Sequence, residues 1–151
     1  MQIGARSAPP LLTLRDLVAA HFPWEAWEAI IDAHGITTER ARRTVHPTLP
    51  EIIYPIDYGY VNDTLGPDGV EVDVFVGTGN TKLVALIMTD DHRRADREVK
   101  LLYDCTPEEI YLVNGFINYD PSLMQGVLAM RRPMHEQWAS TREAEEPVSR
   151  R

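Results

Sequence analysis

The chain has 151 residues, of which 44% are hydrophobic and 25% are charged, a composition typical of one globular domain with a hydrophobic core. The formal net charge of -8 argues against a nucleic-acid-binding protein, since the densest basic cluster is the short run Arg40–Arg43. No apolar run approaches the roughly 20 residues of a membrane span, and the first residues lack the apolar core of a secretory signal. The single cysteine, Cys105, favours a cytoplasmic protein. The net charge and the lack of an apolar span predict that the protein contacts neither nucleic acid nor membrane.

The N-terminal third, residues 1–43, is predicted to be a helical segment. Thr13 followed by Asp16 resembles a capping box, so a first helix is expected to start there. The segment WEAWEAIIDAH (24–34) has tryptophans and isoleucines at helical spacing, and Gly35 suits the end of a second helix. These aromatic residues more often belong to a core than to a ligand site.

Strands are predicted for the middle and the end of the chain. Three prolines between Thr44 and Pro55 exclude a helix and favour extended chain. The alternation of valines with other residues in EVDVFVG (71–77) predicts a strand with two different faces. The segments KLVALIMT (82–89), VKLLYD (99–104) and QGVLAMRR (125–132) are rich in apolar residues and predict three more strands.

The remaining signals define one more helix and the fold class. Thr106, Pro107 and Glu109 supply an N-cap, a first-turn proline and a capping glutamate. Residues 139–151 are charged and have no apolar period, so we expect a flexible tail. Tight turns between strands favour antiparallel pairing. The sequence therefore predicts one α+β domain over residues 1–151: a small, mostly antiparallel β-barrel or a curled sheet, with N-terminal helices and one helix after the strands.

Several carboxylates accompany these strands. Asp68 lies in a GPDG turn, Asp73 lies inside a strand between valines, and Asp90 ends the next strand, with Asp96 soon after. If the strands pair, these acids gather at one end of the sheet and repel one another. A bound Mg²⁺ ion removes that repulsion, and substrate phosphates usually complete its coordination shell. Taken singly, each acid also has a structural interpretation, such as turn hydrogen bonding for Asp68.

The segment YPIDYGYVNDTLGPDGVEVDV resembles the signature region of the soluble, magnesium-dependent inorganic pyrophosphatases. In that family a Tyr-Pro-x-x-Tyr-Gly-aromatic segment leads to Thr and then to Asp-Gly-Asp-Pro-apolar-Asp. The segment from Met88 to Lys100 is similar to a second family motif, a strand ending in Met-Thr-Asp with an Asp and a Lys soon after. The resemblance covers roughly residues 50–104 and implies a shortened, divergent member. It implies an OB-like barrel whose mouth binds several Mg²⁺ ions and pyrophosphate.

The resemblance also implies roles for individual residues. The implied metal ligands are Asp68, Asp73 (bridging two ions), Asp90 and Asp96. Tyr58 would line the site, and Lys100 would neutralise a phosphate oxygen. The spacing from Asp90 to Asp96 is one residue longer than in the family. Glu98 stands two residues before Lys100 and therefore competes with Asp96 for the matched role.

This chain departs from the family at the residue that helps to activate the attacking water. Val70 stands where the family has an acid, and loss of a general base typically costs 10²–10⁴-fold in rate. Glu71 shares a strand face with Asp73 and is the candidate replacement. The expected catalytic residues are therefore Asp73, Glu71 and Tyr58.

The family's N-terminal strands supply phosphate-binding cations, whereas this chain is predicted to begin with helices. Arg43 or His46 could replace those cations, because their segment leads directly into the signature. His46 can equally be an ordinary loop histidine. Arg131 and Arg132 are the candidates near the C-terminal end of the chain.

Three functions stay open on the sequence. The first is metal-dependent hydrolysis of pyrophosphate, or of a related phosphoanhydride, as a small-molecule substrate. The second is a catalytically impaired pyrophosphatase-like domain that binds phosphate ligands or a protein partner. The third is an interaction domain in which Trp24 and Trp27 form a dimer face, which leaves a homo-oligomer open.

Overall fold

The chain builds one six-stranded sheet with helices on both of its faces. The structure, a computed structural model, describes residues 9–65 and 69–140. The elements in chain order are α1 (Leu11–His21), α2 (Trp24–His34), β1 (Ile36–Arg40), β2 (Asp57–Leu65), β3 (Glu71–Val76), β4 (Leu83–Asp91), β5 (Asp96–Tyr103), α3 (Pro107–Ile117) and β6 (Met124–Met130). Residues 134–140 form a further helical stretch.

The strands lie in the order β1-β2-β3-β5-β4-β6. All neighbours are antiparallel except β3 and β5, which are parallel. The prediction of an α+β domain with a mostly antiparallel sheet is confirmed. Within the described residues β1 and β6 do not pair with each other, so the curved sheet is not closed by hydrogen bonds.

Each face of the sheet has its own apolar cluster. One cluster includes Ile31 of α2, together with Leu11 of α1 and Val74 of β3, and this side is called the α1/α2 face. The other includes Phe75 of β3 and Val113 of α3, and this side is called the α3 face. The predicted alternation along β3 is confirmed, because neighbouring residues of that strand belong to opposite faces.

The N-terminal helices differ from the prediction at one end. α1 begins at Leu11 with Pro10 as its N-cap, and no side chain caps it. Thr13 Oγ1 donates to the Pro10 carbonyl oxygen at 2.5 Å, so its hydroxyl bonds backward along the chain. The predicted capping box at Thr13 and Asp16 is therefore wrong. The end of α2 is as predicted, with Gly35 in the left-handed region at φ 75°.

Residues 36–40, predicted as part of the helical N-terminal segment, form β1 instead. β1 is antiparallel to β2, and Arg40 lies opposite Tyr58. The two strands approach closely at Gly59, where a Cβ atom would collide with the Thr37 carbonyl oxygen. Glycine at this position therefore allows β1 to pair, and the pairing brings Arg40 beside Tyr58.

The start of α3 confirms the predicted capping box. The Glu109 backbone N–H donates to Thr106 Oγ1 at 3.2 Å, and the Thr106 N–H donates to Glu109 Oε1 at 3.0 Å. The predicted flexible tail, 139–151, falls mostly outside the described residues, and its first two residues end the helical stretch 134–140. No helix in the described ranges is long and apolar enough to cross a membrane.

Candidate functional site

A cavity of about 570 Å³ lies on the α3 face of the sheet. Its walls come from β1, β3 and β5, from the loop before β2, from the β4–β5 turn, and from the chain between α3 and β6. The basic lining residues are Arg40, Arg93, Arg94 and Lys100. The acidic lining residues are Glu39, Glu71, Asp73, Asp91, Glu98 and Asp120.

Lys100 is the most enclosed cation in this cavity, with 7% of its surface exposed. Its Nζ donates to Asp73 Oδ2 at 2.8 Å, to Tyr58 Oη at 2.9 Å and to Glu98 Oε2 at 3.3 Å. An ammonium group has three N–H donors, and all three are used here. The same nitrogen lies 5.3 Å from the centre of the Tyr58 ring. Strands β2, β3 and β5 thus fix one positive charge at the cavity wall.

The protonation states within this network follow from its surroundings. Burial disfavours the charged form of Lys100, but the oxygens of Tyr58 and Asp73 outweigh it and raise its pKa above the ordinary 10.5. Burial also raises the pKa of the Tyr58 hydroxyl. At neutral pH Lys100 is therefore an ammonium group and Tyr58 a neutral phenol.

His46 lines the cavity from the loop before β2. Its Nδ1 accepts the backbone N–H groups of Thr48 and Leu49, each at 3.2 Å. Burial lowers its pKa below 6.5, and the nearby Arg93 and Arg40 lower it further. The imidazole is therefore neutral at pH 7, and because Nδ1 is the acceptor, its proton is assigned to Nε2.

The β4–β5 turn brings two arginines to the cavity. Asp91 Oδ1 accepts the backbone N–H groups of Arg93 and Arg94 at 3.0 and 3.3 Å, which shapes the turn. Arg93 Nε also lies 3.7 Å from this carboxylate. Within the described part of the chain, Arg94 and Arg40 form no ion pair, although Arg40 hydrogen-bonds the Tyr54 side chain, so neither guanidinium charge is compensated by a carboxylate.

The structure brings most of the expected site residues into one cavity. Of the residues named from the sequence, those that line it are Tyr58, Glu71, Asp73, Lys100 and His46. Glu98 also lines it, whereas Asp96 does not, although Asp96 lies opposite Asp91 in the β4–β5 ladder. Asp68 lies outside the described residues.

Asp90 does not join this group. It lies on the α1/α2 face of β4, where its Oδ1 accepts from Arg97 Nε at 2.6 Å. Arg97 also donates to the Pro9 carbonyl oxygen at 2.7 Å. The expectation that Asp90 lies beside Asp73 is therefore incorrect. The next residue, Asp91, points to the α3 face in its place.

Three of the expected cations also lie elsewhere. Arg43 sits in the loop after β1 with φ 69°, and its side chain is not part of the cavity lining. Arg40, three residues earlier, lines the cavity instead. Arg131 pairs with Glu28 of α2 at 3.0 Å and is likewise absent from the lining, as is Arg132.

The donor set does not fit a magnesium site within the described residues. In the ranges 9–65 and 69–140, no three His, Cys, Asp or Glu side chains are close enough together to hold a metal ion. Asp73 and Glu98 at the cavity wall both bind the Lys100 ammonium. No chemical step through Mg²⁺ is therefore derived.

Sequence reasoning missed three of the four basic lining residues: Arg40, Arg93 and Arg94. Arg40 was assigned to a helical segment, although Thr37 and Thr38 before it are β-branched and favour a strand. The β4–β5 turn was predicted only as a polar loop or short helix. No local signal in the turn predicts that it closes over a cavity.

Among known proteins, the chain is similar only to solved structures, and the similarity is in the fold. No family model matches the chain, and no curated protein matches it. An inorganic pyrophosphatase from Neisseria gonorrhoeae is 16% identical at a TM-score of 0.44, over 76% of this chain and 83% of that chain. One from Coxiella burnetii is 16% identical at 0.43, over 71% and 84%. One from Helicobacter pylori is 13% identical at 0.42, over 74% and 92%. A likeness at this level assigns neither a family nor an activity to the chain.

Proposed function

We propose that the cavity binds a small molecule through its phosphate groups. The observation that carries this proposal is the convergence of four cationic side chains from β1, the β4–β5 turn and β5 on one cavity. Arg40 and Arg94 are the central pair, since neither is engaged by a carboxylate of the described residues. The planar guanidinium group matches two phosphate oxygens at once, which favours phosphate over a simple halide.

Lys100 adds a charge of a different kind. Its position is fixed by three hydrogen bonds before any ligand arrives. A charge held in place costs little conformational entropy when the ligand binds. The neutral His46 contributes a further donor, because its Nδ1 is occupied by backbone N–H groups and its proton is on Nε2.

Four of the six lining acids are engaged by other groups of the chain, whereas Glu39 and Glu71 form no ion pair within the described residues. Asp73 and Glu98 are bound to Lys100, and Asp91 is bound to Arg93 and the turn N–H groups. The Asp120 carboxylate accepts from the Ser122 hydroxyl and N–H. These acids hold the cavity wall in shape and leave the two unpaired arginines to meet the phosphate.

Isothermal titration calorimetry with inorganic pyrophosphate tests this proposal. We expect saturable binding that weakens at least about tenfold in an Arg40→Ala/Arg94→Ala double variant, because each charge-assisted hydrogen bond is worth roughly 1.5–3 kcal/mol. Arg132→Ala is the matched control, since Arg132 is exposed and lies outside the cavity lining. Equal affinity of the double variant and the wild type would refute the assignment of the site.

Hydrolysis of pyrophosphate, or of a related phosphoanhydride, is a second candidate. The observation that favours it is the placement of Glu71 and Asp73 on the same face of β3, where both line the cavity beside Lys100. In this function Glu71 removes a proton from the attacking water, and the water oxygen bonds to one phosphorus as the bridging P–O bond breaks and the second phosphate leaves. The Lys100 ammonium offsets part of the phosphate charge through space. The sequence resemblance implies Mg²⁺ for such chemistry, but the described side chains do not form its site.

Phosphate release separates the two candidates. Hydrolysis predicts release from pyrophosphate above a no-enzyme control, measured with added magnesium and again with a chelator, and loss of that release in Glu71→Gln. Glu108→Gln is the control, because Glu108 is an exposed glutamate of α3 outside the cavity. Release no faster than the control rejects hydrolysis and leaves binding as the function.

A further inference from the structure

We propose that the ligand is an organic phosphate, in which a phosphoryl group is attached to an apolar or aromatic body. This inference rests on the proposed phosphate-binding function and narrows its substrate class. It follows from two properties of the cavity that binding of an inorganic anion does not require. These are its large volume and its apolar lining.

The size of the cavity exceeds the need of an inorganic anion. Its volume is about 570 Å³. Cavities of roughly 300–1,000 Å³ generally enclose drug-sized organic molecules. Inorganic pyrophosphate is only two phosphoryl groups that share an oxygen. Bound at the arginines, it would leave most of this volume to water.

The apolar lining comes from parts of the chain that carry few of the charges. Leu49 and Ile52 belong to the loop before β2, Phe116 ends α3, and Leu123 and Met124 lie at the start of β6. All five are partly exposed. The basic residues come instead from β1, β5 and the β4–β5 turn. The cavity therefore combines cationic groups from the strands and the β4–β5 turn with an apolar surface from the loop before β2, α3 and the start of β6.

Leu49 and Ile52 are the most informative of these residues. Neither belongs to the two apolar clusters of the core, so their side chains are not required to fill it. The loop that carries them is fixed by the His46 side chain, which accepts the Leu49 N–H at 3.2 Å, and by the Ile52 N–H, which donates to the Leu49 carbonyl oxygen at 3.0 Å. An ordered loop thus presents apolar side chains to the same space as the arginines.

Aromatic rings extend this surface. Tyr54 lies between His46, whose ring is parallel to it at 6.0 Å and 5°, and Phe116, at 4.9 Å and 41°. Tyr119 also lines the cavity and is 63% exposed. An apolar or flat group of the ligand gains free energy here, because it displaces water from apolar surface.

A matched ligand series tests this inference by calorimetry on the full chain. Methyl phosphate and phenyl phosphate have the same charge and differ in the apolar group. We expect phenyl phosphate to bind at least about tenfold more tightly, from burial of one ring. In Ile52→Asn this preference is expected to disappear while methyl phosphate binds as before. Ile53→Asn is the matched control, because Ile53 is 53% exposed and does not line the cavity.

Each outcome decides a different point. Equal affinity for the two phosphates would overturn the organic-phosphate inference and leave phosphate binding in place. Binding of neither phosphate, and of no pyrophosphate, would overturn the proposed function as well. A phenyl preference that survives Ile52→Asn but falls in Ile53→Asn would show that the apolar contact lies outside this cavity. Retained methyl phosphate binding in Ile52→Asn shows that the variant is folded.

Discussion

Lys100 Nζ lies 2.8 Å from Asp73 Oδ2, at the point where β5 and β3 run parallel. The carboxylate for which the family resemblance implies a bridging metal role is thus bound to a cation of the chain itself. Glu98 and Tyr58 complete the ammonium's hydrogen bonds. This arrangement fixes an ammonium group at the cavity wall and compensates the Asp73 and Glu98 carboxylates, so that Arg40 and Arg94 are the cations left to contact a phosphate.

Replacing Lys100 with methionine is expected to weaken pyrophosphate binding more than tenfold. The change removes the fixed charge and leaves Asp73 and Glu98 unpaired and repulsive towards an anion. Calorimetry measures the affinity. Lys82→Met is the control, because the Lys82 side chain is 53% exposed and pairs with Asp32 outside the cavity. Affinity unchanged in Lys100→Met would exclude the lysine from the ligand site.

Glu109→Gln is expected to lower the free energy of unfolding by about 2 kcal/mol, because a buried charged acceptor loses its best partners. Glu109 is 5% exposed and binds Arg42 Nη2 at 2.7 Å, the Thr106 N–H at 3.0 Å and the Thr78 N–H at 2.9 Å. Urea unfolding measures the change. Glu108→Gln, at an exposed position of the same helix turn, should alter stability by less than about 0.5 kcal/mol. A loss of equal size in both variants would argue against a special role for Glu109.

The same glutamate predicts a pH dependence. Burial acts to raise the pKa of Glu109, but N–H groups of Thr106 and Thr78 outweigh it and hold this pKa below the ordinary 4.5. A carboxyl whose folded pKa is depressed stabilises the fold above its unfolded pKa and loses that contribution as the pH falls through the folded pKa. Unfolding curves on both sides of pH 4.5 should therefore show a smaller acid loss of stability in Glu109→Gln than in the wild type.

His46→Asn is expected to make stability less sensitive to pH below 6.5. The folded chain lowers the pKa of His46, so the unfolded chain takes up its proton first and stability falls as the pH decreases below 6.5. Asparagine offers an oxygen acceptor to the Thr48 and Leu49 N–H groups but does not titrate. Denaturation at one pH above and one below 6.5 measures the difference, with exposed His135→Asn as the control. If the stability of His46→Asn and of the wild type depended on pH in the same way, His46 would not be the source of the acid destabilisation.

Gly59→Ala is expected to destabilise the protein by about 2 kcal/mol or more and to weaken pyrophosphate binding. The added Cβ would meet the Thr37 carbonyl oxygen and lie 2.9 Å from Thr38 Cα, so β1 must move away with Arg40. Thermal unfolding and calorimetry measure the two effects. Gly115→Ala is the control: no atom lies within 4 Å of its added Cβ, and alanine favours the interior of α3. Full stability of Gly59→Ala would show that β1 is not held as closely as described.

The parts of the fold that local sequence determines were predicted correctly. The start of α3 depends on three neighbouring residues that cap one helix end, and the two faces of β3 depend on simple alternation. β1 was missed because its five residues are mostly exposed and it is held by pairing with β2, a non-local interaction. A single-chain pattern contains little information about such a partner.

The position of Asp90 shows a second limit. Every residue of β4 from Leu83 to Thr89 is buried, because helices cover both faces of the sheet. A strand buried on both sides has no alternation of apolar and polar residues, so its sequence does not say which face a given side chain takes. A shift of one residue decides between Asp90, which binds Arg97, and Asp91, which lines the cavity.

The most direct test of the account is a calorimetric titration of the full chain with pyrophosphate in excess chelator and again with added magnesium. We expect saturable binding in chelator that depends on Arg40, Arg94 and Lys100 and that is more than tenfold weaker in Lys100→Met. Binding that requires magnesium, and that is as tight in Lys100→Met as in the wild type, would contradict it.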